Sequence, residues 1–311
     1  MTRLLVTGAS GLLGLNMGLQ VSGRHAVTGV VNTNGLTRIP FPIVTADLAA
    51  PGAAERLVDE VQPEVMIHCA AMANVDECET QPERARLVNA LLPGRLAAAA
   101  AQRGVQMVHI STDAVFDGQP RLDSGYCETD APNPLSVYAR TKLEGEQQVL
   151  AANPAAIVAR VNFYGWSLTG QRSLAEFFFN NLSAGRGVKG FTDVLFCPLL
   201  VHELVDILLR MTELRLTGLY HVVSSEALSK YDFGLLLAQT FGLDGSLIQP
   251  ISVAEAGLRA VRSPDLRLNT SRLAQALGAP LPGQRLQMQR FYELYQQGYP
   301  RQLRALRGEP A

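Results

Sequence analysis

Short apolar runs rich in branched residues recur along the chain, at Leu4 to Thr7, Ala26 to Val31, Ile43 to Thr45, Val65 to Cys69, Val105 to Ile110, Ala156 to Val161 and Leu219 to Val223. Runs of this length, apolar at consecutive positions, suit strands covered on both faces. Between them, apolar positions return every three or four residues in Leu12 to Gln20, Ala53 to Val61, Pro82 to Gln102 and Ser136 to Ala152. Strand alternating with helix predicts an α/β fold, a doubly wound parallel sheet with right-handed helical crossovers. After Arg160 the alternation loosens. A Gly-rich stretch spans Ser183 to Gly190, helix-like runs span Val201 to Met211 and Lys230 to Phe241, and a polar tail follows Gly283. Residues after 165 are expected to form mostly a smaller C-terminal cap, made of 166–199 and 225–311, with 200–224 returning to the sheet.

Composition narrows the function classes. The 311 residues carry 27 basic and 28 acidic side chains, so no strong field gathers a nucleic acid backbone or an anionic lipid surface. No run approaches the roughly 20 apolar residues of a membrane span, and the stretch after Arg3 is too short for a signal peptide. Cys69, Cys78, Cys127 and Cys197 form no CxxC pair, and Cys69 and Cys197 sit in apolar runs that read as buried. A reduced, cytoplasmic setting fits them. His25, His68, His109, His202 and His221 are dispersed, so no metal site is expected.

The first strand runs into Gly8, Ala9, Ser10, Gly11, Leu12, Leu13 and Gly14, and then a helix. In this context Gly8 allows the tight turn, Gly11 lets backbone N–H groups approach a diphosphate, and Gly14 permits close packing of helix on strand. The helix N-terminus favours the anion. Residues 1–165 thus read as a dinucleotide-binding (Rossmann) domain. The second strand ends in Asn32, Thr33 and Asn34, followed by Arg38; without an acid there, NADP(H) is favoured over NAD(H). Asp47 and Leu48 follow the third strand and either line the adenine or, for Asp47, cap the next helix.

Tyr138 and Lys142 lie four apart in a helical segment and therefore share a face. An ammonium beside a phenol favours the phenolate, which is what acid–base work on a carbonyl or alcohol needs. The fifth strand ends in Ser111 and Thr112, which places a hydroxyl at the carboxyl edge of the sheet, where ligands of such sheets bind. Pro132 and Pro134 precede the Tyr138 helix.

TGASGLLG at 7–14, CAAMANVDECE at 69–79, STDAVFDG at 111–118 and NPLSVYARTKLEGE at 133–146 resemble the extended short-chain dehydrogenase/reductase superfamily, and within it the dTDP-4-dehydrorhamnose reductase-like branch. SPDLRLNTSRLAQALG near the carboxyl end extends the likeness along nearly the whole chain. The resemblance implies an NAD(P)H-dependent reductase of a nucleotide-sugar keto group. Tyr138 would protonate the substrate oxygen, Lys142 would hold the nicotinamide ribose and depress the Tyr138 pKa, and Thr112 would polarise the carbonyl. Cys69, Ala70 and Ala71 would run under the cofactor and Asn89 would support the site. The sugar is expected between sheet and cap, near Asp113 and the strand-end residues Asn162, Phe163 and Tyr164, while Phe163, Tyr164 and Trp166 equally fit a packed hinge. Ala114 stands where the branch usually has Tyr, which opens the choice of sugar to a modified 6-deoxysugar or another small carbonyl compound. The related dehydratases place Glu at this position, so dehydration is disfavoured. A homodimer is also implied. The alternatives are an epimerase of the same superfamily and an NADP-binding regulatory subunit without turnover.

Overall fold

A computed structural model describes residues 1–33, 36–119, 125–256 and 263–307. Asn34, grouped above with the end of the second strand, lies outside the described residues. The amino-terminal half contains β1 (Arg3–Thr7), α1 (Leu12–Val21), β2 (Ala26–Val31), β3 (Ile43–Thr45), α2 (Ala53–Val61), β4 (Val65–His68), α3 (Val75–Thr80), α4 (Pro82–Arg86), α5 (Leu92–Gln102), β5 (Gln106–Thr112), α6 (Val137–Ala152) and β6 (Ile157–Val161). There follow β7 (Phe163–Tyr164), α7 (Leu174–Ser183), β8 (Val188–Phe191), β9 (Leu195–Phe196), β10 (Leu199–Leu200), α8 (Val201–Glu213) and β11 (Gly218–Val222). The chain ends with β12 (Leu228–Ser229), α9 (Lys230–Phe241), β13 (Ile248–Ile251), β14 (Asp265–Leu266), α10 (Ser271–Leu277), α11 (Gln284–Gln296) and α12 (Tyr299–Ala305).

The central sheet has seven strands in the order β11-β6-β5-β4-β1-β2-β3, every neighbouring pair parallel. Alternation along β1 divides its side chains between two cores. Leu4 and Val6 pack with α1 and α8, while Leu5 packs with α2, α5 and Val149 of α6. The strand order reverses between β1 and β4, and the crevice beyond their carboxyl ends is where such sheets receive ligands.

A third core joins α7, α9, α11 and α12 around Phe178, Phe233, Phe291 and Leu303. Trp166 stacks on Phe291 with centroids 4.2 Å apart, and its indole N–H donates to the Phe291 carbonyl. Tyr164 meets Phe233 and Phe291 edge-on. Both aromatic residues are thus packed within this core. The tail after Gly283, read as polar from sequence, folds as α11 and α12. Among its apolar residues Met288, Phe291 and Leu303 are fully buried, each contributing roughly 1.5–3 kcal/mol. The stretch Ser183 to Gly190 is likewise ordered, as the end of α7 and part of β8, which pairs with β13. Among the described residues no helix is long and apolar enough to cross a membrane.

Candidate active site

The turn between β1 and α1 is shaped by backbone contacts that a side chain would break. Gly8 has φ of +68°, and a Cβ there would lie 2.7 Å from the Ala70 nitrogen. A Cβ on Gly14 would lie 2.4 Å from the Gly8 carbonyl oxygen, so α1 sits closer to the turn than any other residue would permit. Gly11 is the N-cap of α1 and supplies no side-chain cap, and the first turn of the helix holds no acid. Such a helix opening, with no side-chain cap and no acid, suits an anion. Ser10 and Leu12 are half-buried on this turn and Leu13 is buried beneath it. Across the crevice, the Ala70 N–H donates to the Thr7 hydroxyl at 3.3 Å; Cys69 and Ala70 are half-buried and Ala71 is exposed. The expectation that Cys69 is buried therefore holds only in part, because it sits at the open carboxyl end of β4. Among the fully buried thiols is Cys78 instead.

Asn32 and Thr33 are exposed at the end of β2. Asp47 is exposed and its Oδ1 accepts from the Ala49 N–H at 3.0 Å. Gly52, with φ of +69°, is the N-cap of α2, so Asp47 closes a turn and does not cap that helix. Leu48 is buried among Leu5, Val30 and Leu57, which leaves little of it to face an adenine.

Helix α6 begins at Ser136, whose Oγ accepts from the Ala139 N–H at 3.2 Å. The Glu79 carboxylate accepts from the Val137 N–H at 2.8 Å and ties α3 to the same helix end. These caps orient a row at spacing four: Tyr138, Lys142 and Glu146. Burial pushes the Tyr138 phenol up to about 12, against a smaller opposite effect of the neighbouring Thr112 hydroxyl, while Asp113 and Cys78 add to the rise. Burial pushes the Lys142 amine down to about 8, opposed by Glu146 and Cys69. The Lys142 Nζ donates to the Ile110 carbonyl at 2.6 Å and lies 3.4 Å from His109 Nε2. The expectation that Lys142 depresses the Tyr138 pKa is not met: burial dominates that phenol, and the ammonium is held by the sheet backbone.

Glu146 forms a buried ion pair with Arg160 of β6 at 2.7 Å and also accepts from Ser111 Oγ at 2.5 Å. The Arg160 guanidinium lies over the Phe116 ring, 4.9 Å from its centroid. Neither Glu146 nor Arg160 was singled out from sequence; the spacing of four from Lys142 was the one available signal. Asn89 sits in a π-helical turn, Leu87–Leu91, between α4 and α5. It is fully buried, and its amide accepts from the Met72 N–H at 2.8 Å and donates to the Met72 carbonyl and to Thr141 Oγ1. The wide turn thus clamps the segment after β4 against α6. A solvent-facing Asn89 is ruled out.

Thr112 is buried; its hydroxyl accepts from the Ala114 N–H at 3.2 Å and donates to Asp113 Oδ1 at 3.1 Å. Asn162 Nδ2 donates to Asp113 Oδ2 at 2.6 Å. Burial raises the Asp113 carboxyl to about 6 despite these bonds. Both of its oxygens are thus engaged within the protein. A cleft in front of this cluster is lined by Tyr138, Ala114, Asn162, Leu135, Lys230 and Ser263, among others. Phe163, expected on the cleft side, packs instead against the main hydrophobic core, because its strand β7 pairs with β10 just behind the sheet edge. Lys230 and Ser263 come from distant segments and carried no local signal. Among the described residues no group of three or more His, Cys, Asp or Glu is placed to hold a metal.

The family described as the RmlD substrate binding domain matches residues 1–297. The chain is 34% identical over 283 residues to a probable low-salt glycan biosynthesis reductase of Haloferax volcanii, covering 89% of this chain and 93% of that one. It is 33% identical over 286 residues to a dTDP-4-dehydrorhamnose reductase of Mycobacterium tuberculosis, covering 90% and 88%. It is also 33% identical over 264 residues to methionine adenosyltransferase 2 subunit beta of Xenopus tropicalis, covering 82% and 77%. A crystal structure of a dTDP-4-dehydrorhamnose reductase from Clostridium acetobutylicum superposes with a TM-score of 0.82 at 27% identity, covering 94% of this chain and 99% of that one. The glycine turn, the Tyr138 and Lys142 helix and these likenesses agree, and the chain belongs to the RmlD substrate binding domain family, a branch of the extended short-chain dehydrogenase/reductase superfamily.

Proposed function

We propose that this protein is an NAD(P)-dependent oxidoreductase that reduces the keto group of a nucleotide-activated 4-keto-6-deoxy sugar, with NADPH as the preferred coenzyme and Tyr138 as proton donor. The observation that carries it is Tyr138 on the cleft wall, with the Thr112 hydroxyl beside its phenol and the buried Lys142 one helical turn on. Gly8, Ser10, Gly11, Leu12, Leu13 and Gly14 would hold a diphosphate, since a Cβ at Gly8 or Gly14 would close the turn. Asn32 at the end of β2 would face the adenosine ribose, with Asp47 and the backbone of Leu48 near the adenine. Cys69, Ala70 and Ala71 would run along the coenzyme, held in place through Asn89. When bound, reduced nicotinamide supplies the hydride.

The protein's own groups do the rest. A phenol held near 12 is protonated at neutral pH, which is the form a reduction needs, because the oxygen of the new alcohol must receive a proton. The Thr112 hydroxyl, held by the Ala114 N–H, would turn its proton from Asp113 to the same oxygen. Lys142 would bind the ribose. Asn162 lines the cleft where sugar hydroxyls would lie, and Asp113 supports it from behind. Ala114 offers no acid for dehydration. Its small side chain also leaves room beside the sugar for a substituent, so a modified 6-deoxysugar is the favoured substrate. The absence of an acid at Asn32 and Thr33 is the basis for preferring NADPH. We further place the protein in the cytoplasm, where its free thiols stay reduced, and expect a homodimer.

The likeness to an adenosyltransferase subunit favours a second reading, a regulatory partner that does not turn over. Purified protein with NADPH and a panel of nucleotide-linked 4-keto-6-deoxy sugars separates the two. The reductase reading expects NADPH oxidation that Tyr138→Phe lowers by about 10²-fold or more; no oxidation across the panel contradicts it.

A further inference from the structure

Strands β1, β4 and β5 lie side by side in register, Thr7 opposite His68 and His68 opposite His109. All three side chains alternate onto the face of the sheet shared by Leu5, Met66 and Met107, under α5 and α6. They form a buried polar row directly beneath the crevice, and it ends on Lys142. Thr7 Oγ1 accepts the Ala70 N–H and shares a hydrogen bond with His68 Nδ1 at 2.7 Å. The His68 and His109 rings stack with centroids 5.4 Å apart. His109 faces Lys142 through Nε2 at 3.4 Å. Both imidazoles are held neutral by burial and by the Lys142 charge, so Nε2 of His109 is free to accept.

An ammonium has three N–H donors. The Ile110 carbonyl takes one and His109 Nε2 a second, which aims the third. We propose that His109 is a positioning residue for Lys142: its unprotonated Nε2 and the Ile110 carbonyl form a two-point anchor that fixes the ammonium beneath the crevice, with His68 and Thr7 holding the imidazole in place. This rests on reading Lys142 as the amine of the catalytic pair. A flexible four-carbon stem anchored at one point would swing; anchored at two it presents one remaining donor to a ribose hydroxyl.

The groups facing the amine set the direction of its titration. Glu146 and Cys69 favour the ammonium; burial disfavours it. His68 and His109 are neutral, Arg160 is engaged by Glu146, and Tyr138 lies one turn earlier on α6. Removing the His109 acceptor withdraws support from the charged form, so the Lys142 pKa must fall.

The test is NMR on the protein without substrate, together with the pH profile of turnover. Long-range proton–nitrogen spectra of the wild type are expected to show His109 protonated on Nδ1 and bare on Nε2. In His109→Phe the Lys142 side-chain signals are expected to titrate roughly one pH unit lower, and the alkaline limb of kcat/KM to move with them. In His109→Gln, whose amide oxygen accepts, both are expected to stay near the wild-type positions. A proton on His109 Nε2, or a folded His109→Phe with an unmoved Lys142 titration, overturns the anchor. A Lys142 titration that moves while the alkaline limb stays upholds the anchor and contradicts the catalytic reading of Lys142.

Discussion

Tyr138, Lys142 and Glu146 stand one turn apart on α6, and burial acts on each in its own way. It keeps the phenol protonated, weakens the hold of the amine on its proton, and forces the carboxylate to find Arg160. The Glu146–Arg160 pair is nearly inaccessible to solvent, so removing one partner strands the other charge. Glu146→Ala is expected to lower unfolding stability by about 3–5 kcal/mol, read from denaturant midpoints; a loss below about 1 kcal/mol, typical of an exposed pair, would contradict this account. The residues that sequence made visible were those with a local spacing, Tyr138 and Lys142, or a strand end, Thr112. Arg160 was invisible because its partner lies on another element and an arginine within an apolar strand carries no mark of what it faces. Asp113 and Asn162 were visible as strand-end polar residues, but not the bond between them, which turns the carboxylate inward.

At the scale of elements, α1 and its turn are tightly constrained. A Cβ on Gly14 would sit 2.4 Å from backbone oxygen, and backbone, unlike a flexible side chain, does not yield cheaply. Gly14→Ala is therefore expected to move α1 off β1 and weaken NADPH binding about tenfold or more, measured by fluorescence titration; unchanged affinity would mean the diphosphate lies elsewhere. Elements with regular apolar recurrence, such as α2 at Ala53–Val61 and α9 at Lys230–Phe241, were legible to the residue. Helix α11 was not. Its buried face includes Gln284 and Gln287, whose amides serve Pro198, Leu200 and Ser224 through bonds of 2.6–3.2 Å. A helix that buries glutamines reads as polar until its partners are known. The π-helical turn around Asn89 was hidden for a similar reason, since its cause is the clamp on Met72.

For the molecule as a whole, the buried histidines set the response to acid. Burial holds His68 and His221 down to about 3, His202 down to about 4 and His109 well below its ordinary value. The unfolded chain protonates these groups near 6.5 and the folded chain does not, so stability is complete above that pH and is lost as pH falls. Each contributes a slope of about 1.4 kcal/mol per pH unit. Asp113, raised to about 6, works the other way and offsets about one of them between pH 6 and its unfolded value near 3.8. The net slope, about 4 kcal/mol per unit, is large against a total of roughly 5–15 kcal/mol. Urea midpoints are expected to fall steeply between pH 6.5 and 5, and a flat profile would show the imidazoles to be protonated or solvated in the fold.

The central claim is hydride delivery to a sugar keto carbon beside Tyr138. Its most direct measurement is the mass of the product formed from a nucleotide-linked 4-keto-6-deoxy sugar and NADPH deuterated at the transferable position. The account predicts one deuterium per product molecule, bound to the former keto carbon. NADPH consumed without deuterium reaching the sugar, or a sugar returned unreduced, would contradict it.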